Sequence, residues 1–193
     1  MDLVTAFHRS LDGFTTRVAQ VEESQWGAPT PCEEWDVRTL VNHVVSETLW
    51  VSPLLSGATI AEVGDRFDGD QLGDDPAASA LSAASAASSA ADEAGVLDRT
   101  THLSFGDTPS EEYLNQITAD LAIHSWDLAV ATGEDPVLDP EVIDKVGDWF
   151  QEREQSYRDS GAIGPRAPVP SDAGRQDRLL GAFGRNPDWS PDV

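Results

Sequence analysis

Asp120 and His124 are the residues on which a chemical reading of this chain turns. They lie in Asp120-Leu-Ala-Ile-His-Ser-Trp-Asp-Leu-Ala-Val-Ala-Thr-Gly133, a stretch that reads as a helix closing on a glycine. On a wheel of about 100° per residue with Ile117 as reference, Leu121 falls at about +40°, Leu128 at about +20° and Tyr113 at about −40°. These define one apolar stripe, and His124 at about −20° and Asp120 at about −60° share it. A carboxylate and an imidazole four residues apart stack on one helix face, and burying them without partners is costly. Two arrangements answer that cost. The residues pair with each other and a neighbouring polar group, or they share a metal ion whose third ligand comes from another helix.

His43 is the candidate third ligand. Two imidazole nitrogens and one carboxylate leave coordination positions open, a donor set suited to zinc, nickel, iron or manganese and able to polarise a bound water, thiol or carbonyl. Glu47, four residues after His43, is a candidate extra ligand or base. Asp127, at about −80° on the wheel, is a candidate to orient a ligand histidine; otherwise it is a solvated carboxylate. Without a metal, Asp120 and His124 form a buried pair, and His43 bonds a backbone carbonyl or Glu47. Trp126 points away from Ile117, toward a C-terminal extension. Other catalytic patterns are thin, with no Gly-x-Ser-x-Gly elbow, phosphate-binding loop or paired-cysteine motif. Cys32 reads as an exposed thiol whose acidic neighbours disfavour the thiolate, so no nucleophilic role is assigned to it.

The elements that must position these groups are helices. Leu3, Phe7, Leu11, Phe14, Val18 and Val21 fall within about 40° of one line, predicting a first helix over 2–23 with His8 facing solvent. Gly27, Pro29 and Pro31 make 25–34 a connecting loop. Asp36 caps a second helix to about Gly57, striped by Val37, Val41, Val44 and Val51, with His43 on the margin of its buried face. Residues 57–75 read as a surface excursion with at most a short helical turn. Asp75-Pro76 opens an Ala/Ser-rich third helix through Ala94, ended by Gly95, whose small side chains let neighbours approach closely. Residues 98–109 form a loop or a short extended piece. Ser110 caps a fourth helix ending at Gly133, and Asp139-Pro140 starts a fifth through about Tyr157. The pattern predicts an all-α fold: an up-and-down four-helix bundle over residues 1–160, and an extra helical segment and extension over 161–193 packing on it.

Composition narrows the partners. The 193 residues hold 35 acidic and 12 basic side chains, a formal net charge of −23. Such a surface repels nucleic acid and anionic membrane, so neither is an expected partner. Cys32 is the single cysteine. The N-terminus lacks the basic and apolar regions of a signal peptide, and no stretch is apolar for the roughly 20 residues needed to span a bilayer. The expected location is the cytoplasm. Exposed bundle faces leave room for a homodimer.

Thr30-Pro-Cys-Glu-Glu-Trp-Asp-Val-Arg-Thr-Leu-Val-Asn-His43, followed by the Asp120 to Gly133 stretch, resembles the metal-binding domain of mycothiol-dependent maleylpyruvate isomerases, within the DinB and YfiT-like superfamily. The ending Asp177-Arg-Leu-Leu-Gly-Ala-Phe-Gly-Arg-Asn-Pro-Asp-Trp189 resembles the tail of an actinobacterial subgroup with no assigned reaction. The resemblance implies a DinB-like bundle holding a divalent metal, zinc or nickel foremost, through His43, Asp120 and His124. In the isomerases the middle ligand is a glutamate, so Asp120 shortens that arm by one methylene. The isomerases also carry a second domain that contributes to the active site, where this chain has residues 161–193. The implied chemistry is a metal that activates a low-molecular-weight thiol, mycothiol as cosubstrate, for transfer to or isomerisation of a small-molecule substrate. Two alternatives use the same ligands: a hydrolase with activated water, and a non-catalytic module binding metal or a small ligand.

Overall fold

The computed structural model describes residues 1–191, so the last two residues of the predicted extension lie outside it. α1 (Leu3–Val18) buries Leu3, Phe7, Leu11, Phe14 and Val18, and its N-cap Asp2 accepts from the Thr5 N–H. It ends five residues before the predicted boundary. Glu22 and Gln25 there form a capping box around a single turn, and the Gln25 side chain donates to the Thr132 carbonyl. α2 (Val37–Leu55) starts at the predicted cap, Asp36, and a four-residue α3 (Ile60–Val63) is the only helix of the 57–75 excursion. α4 (Pro76–Ala91) buries Ala80, Ala83, Ala84, Ala87, Ala90 and Ala91 along one face but stops at Asp92; left-handed Gly95 instead opens a separate turn over Val96–Asp98.

Residues 98–109 prove more regular than predicted, pairing β1 (Thr100–Leu103) with β2 (Gly106–Pro109) as an antiparallel hairpin with Thr101 opposite Thr108. α5 (Ser110–Thr132) closes on left-handed Gly133. Ser110 lies inside this helix, one residue past the N-cap Pro109, because its buried hydroxyl is used sideways, 2.8 Å from Thr101 Oγ1 of the hairpin. The predicted fifth helix is two, α6 (Pro140–Gln151) and α7 (Glu154–Asp159). The break follows from Arg153: its guanidinium takes the Trp149 carbonyl that its own N–H would need to continue the helix, and that N–H turns to Phe150 O. The same side chain anchors on Glu112 of α5 at 2.9 Å. α8 (Arg175–Ala182) completes the described chain.

α1, α2, α4 and α5 form the bundle, α1 and α2 each packing between α4 and α5. Arg17, near the end of α1, reaches the carbonyls of Asp135 and Val137 just beyond α5, so these two helices run parallel. Arg38, at the start of α2, reaches Gly73 O just before α4, and Arg99, just before the hairpin and α5, reaches Leu55 O at the end of α2. The bundle is all-α as predicted, but its directions run up, down, down, up rather than alternately up and down, with the α1–α2 and α4–α5 connections crossing diagonals that the sequence pattern does not specify. Those crossings explain why both connections are long, and the first of them carries Cys32 and Trp35.

α5 is covered on two sides. Tyr113, Ile117, Leu121 and Leu128 face the bundle core, while Ala119, Ala122, Ile123 and Trp126 face a second cluster built from Val142, Val146 and Phe150 of α6 and Leu179 and Leu180 of α8. No described helix is long and apolar enough to cross a membrane.

Asp139 is the N-cap of α6, accepting from the Glu141 and Val142 N–H groups and from Arg9. Burial alone would raise its carboxyl, but those donors hold it below the ordinary aspartate value. A depressed folded pKa stabilises the fold above the unfolded value and loses that effect as pH falls through the folded one. Asp139→Ala is expected to cost about 1 kcal/mol at neutral pH. In thermal unfolding the gap between parent and variant should narrow below about pH 4.

Candidate metal centre

α2 and α5 run antiparallel side by side and bring His43 against Asp120 and His124. The two imidazole rings sit 5.3 Å apart and nearly perpendicular. Asp120 stands between them, Oδ1 at 3.4 Å from His124 Nε2 and Oδ2 at 3.8 Å from His43 Nε2. All three donors lie within 4.8 Å of one another. These separations exceed the roughly 3.2 Å limit of a good N–H···O hydrogen bond. They suit donors about 2.1 Å from one cation, which at tetrahedral angles stand about 3.4 Å apart. The donor set therefore fits a divalent metal, and His43, Asp120 and His124 are the residues that would hold it.

The ring of His124 is fixed from behind. Its Nδ1 donates to Asp127 Oδ2 at 2.9 Å, which turns Nε2 toward Asp120 and His43. Asp127 is fully buried. It is tied in turn by a fork from Arg185, Nη2 to Oδ2 at 2.8 Å and Nε to Oδ1 at 3.1 Å. Arg185 Nη2 also donates to Cys32 Sγ at 3.2 Å, and that sulfur lies 3.4 Å from Asp127 Oδ2. Cys32, His124 and Asp127 thus form a second donor cluster. Its members are already satisfied by Arg185 and by each other, whereas the Nε2 side is not.

Electrostatics follow the same geometry. Burial would raise the Asp120 carboxyl, but the adjacent His124 and His43 imidazoles outweigh it and hold it well below the usual range. Burial would lower the His124 imidazole, yet the Asp120 charge and the hydrogen bond to Asp127 raise it well above an ordinary histidine. Asp127, despite burial, is lowered by its bonds with His124 and Arg185. Glu47, one turn along α2 from His43, is raised by burial and by the Asp120 charge.

The centre opens into a cleft of about 1270 Å³ walled by Trp35, Trp50, Trp149 and Phe183, with Glu47 and Tyr113 among its lining residues. Trp35 packs 4.8 Å from the His43 ring and 6.0 Å from that of His124. Its loop is folded over by Glu34, which takes a positive φ of 67°, and by Thr30, whose N–H and hydroxyl both donate to the Trp35 carbonyl.

Every candidate from the sequence lies at this centre: His43, Asp120 and His124 converge, Asp127 orients His124, and Glu47 lines the cleft. The reading of Cys32 needs correction. It is half-buried, and the charged groups on its sulfur are Arg185, 153 residues away, and Asp127, 95 residues away, rather than its acidic sequence neighbours. Arg185 and Trp35 escaped sequence reasoning. Gly184, left-handed beyond the last turn of α8, is the one local sign that the chain is redirected just before Arg185.

Fold and centre together define a helical-bundle domain with an inward-facing cluster of three donors. The chain belongs to the family described as mycothiol maleylpyruvate isomerase N-terminal domain, whose model matches residues 7–129. Two relatives, the uncharacterized proteins MT0763 and Rv0738 of Mycobacterium tuberculosis (strains CDC 1551 / Oshkosh and ATCC 25618 / H37Rv), are each 31% identical to it over 193 residues, covering 96% of this chain and 98% of the relative. No solved structure matches the chain significantly. The family match holds all three donors and Asp127 but ends short of Arg185.

Proposed function

We propose that this chain is a divalent-metal-dependent enzyme that activates a low-molecular-weight thiol of the mycothiol type for transfer or isomerisation, working in a reducing cytoplasm. The observation that carries the reading is the Asp120 carboxylate between two imidazole Nε2 atoms, at separations too long for hydrogen bonds and apt for shared ligation. A divalent cation there would stabilise thiolate over thiol at neutral pH, leaving an open face for an electrophile. His43, Asp120 and His124 hold the cation, and the Asp127–Arg185 fork keeps His124 in one tautomer and orientation. Glu47, whose carboxyl burial and the Asp120 charge raise above the ordinary glutamate value, stands on the cleft wall to take the thiol proton.

The test begins with metal analysis of the purified chain beside His124→Ala. Near-stoichiometric metal in the parent and its loss in the variant is the expected result. The metal-loaded parent should then conjugate or isomerise a small electrophile only when mycothiol is present. Turnover without thiol would replace this reading by the hydrolase, and a parent that takes up neither zinc, nickel nor manganese would reduce it to a binding module.

A further inference from the structure

The two imidazoles of the centre are held in different ways. His124 is buried, and its Nδ1 is fixed by Asp127 at 2.9 Å. His43 stands on the margin of α2 with its side chain 32% exposed. Its polar contact is with Asp120 Oδ2, 3.8 Å from Nε2, and Nδ1 has no hydrogen-bond partner among the described residues. A ligand histidine ordinarily has its second nitrogen tied, which sets the ring angle. Here an aromatic contact stands in that place. The Trp35 ring packs on His43 at 4.8 Å between centroids and tilted by 47°, inside the range of about 4.5–7 Å over which aromatic rings attract.

Trp35 is itself tightly placed. Its carbonyl accepts from the Thr30 N–H at 3.2 Å and the Thr30 hydroxyl at 2.9 Å, and its own N–H donates to Cys32 O at 3.1 Å. Glu34, just before it, takes a φ of 67°, a conformation that a residue with a side chain adopts at a cost. The loop therefore accepts strain where it presents the indole. Trp35 also lies 6.0 Å from the His124 ring, but Asp127 holds that ring without it. His43 has no such second restraint. We infer that Trp35 is the positioning residue of His43: the indole fixes the imidazole in the orientation that presents Nε2 to the metal, as Asp127 does for His124. The consequence for metal binding rests on the centre proposed above, whereas the contact between the two rings does not.

The experiment measures cobalt(II) affinity and the NMR relaxation of isotopically labelled histidine rings in the parent, Trp35→Phe and Trp35→Leu. Trp35→Leu fills part of the space without a ring and is expected to weaken cobalt binding about tenfold, and Trp35→Phe about threefold. A general loosening of the fold would free both imidazoles alike, so the deciding measurement is made on the metal-free chain. There the His43 ring should be more mobile in Trp35→Leu than in the parent and intermediate in Trp35→Phe, with the His124 ring unchanged throughout. A His43 ring as rigid in Trp35→Leu as in the parent, or both rings loosened together, overturns the inference. Unchanged cobalt affinity beside a loosened His43 overturns it as well, because the orientation would then be irrelevant to the metal. A parent that takes up no cobalt counts against the metal reading instead, and the ring comparison still decides whether Trp35 sets His43. If Trp35→Leu does not fold, Trp35→Phe carries the same comparison of the two rings.

Discussion

Arg185→Ala is expected to destabilise the chain by about 3 kcal/mol and to weaken metal binding about 10–100-fold. Asp127 is fully buried, and the Arg185 fork is the cation that neutralises it. Removing the fork leaves a buried carboxylate whose remaining partners are His124 and the Cys32 thiol. Breaking a buried pair from one side costs about 3–5 kcal/mol, and the lower end applies because the Arg185 side chain is 22% exposed and solvent screens it. The second effect travels through His124. An Asp127 drawn away from His124 Nδ1 no longer fixes the tautomer that presents Nε2 to the other donors. Chemical denaturation and zinc titration of the same variant read the two effects separately. Arg185→Lys keeps the charge without the fork, so it should recover part of the stability and less of the affinity. A variant as stable and as tight as the parent would mean that the tail merely rests on the bundle.

Trp126→Ala is expected to cost about 3–5 kcal/mol, the range for deleting a large buried aromatic. Trp126 is 2% exposed and stands where α5 meets the cluster shared with α6 and α8. The cavity opens on the side of α5 away from His124, so a purely local account predicts lost stability with unchanged metal affinity. The geometry predicts more. α8 is the platform from which Arg185 reaches Asp127, and Ala167 N–H bonds Gly181 O at 2.9 Å where a Cβ would stand 2.9 Å from Val169 Cγ1, so the extension docks closely along that helix. Loosening α8 should therefore lower zinc affinity in the same direction as Arg185→Ala. The double variant should lose less affinity than the sum of the two single losses, because both act on one contact. Additive losses would separate the extension from the centre.

The helices with strong local signals were legible. Asp36, Asp75 and Asp139 are caps where their sequence position says they should be, because an aspartate ahead of an apolar period satisfies the first free N–H groups wherever the helix is placed. The inward direction of Asp120 and His124 was legible too, since a helical wheel fixes which residues share a face. The wheel also turned Trp126 toward the C-terminal extension, where it packs on α8, but it did not show that α6 joins that cluster and buries Ala119, Ala122 and Ile123 with it, because a helix covered on both sides carries no single apolar stripe. The break at Arg153 was hidden for a related reason. It depends on a carbonyl captured by a side chain that is itself held by Glu112, 41 residues earlier in the sequence.

By itself the sequence determined the all-helical class, the caps, and the presence of Asp120 and His124 on one inward face with His43 on the margin of another, because these follow from period and residue type within a few turns of chain. Tertiary structure alone decided the separations of 3.4 and 3.8 Å at which Asp120 meets the two imidazoles. It also decided that Asp127 is buried rather than solvated and that Cys32 faces a guanidinium rather than its acidic neighbours. Each depends on groups brought together by the diagonal crossings and by the docking of α8, and the strength of such contacts is set by distance in space, on which local sequence is silent.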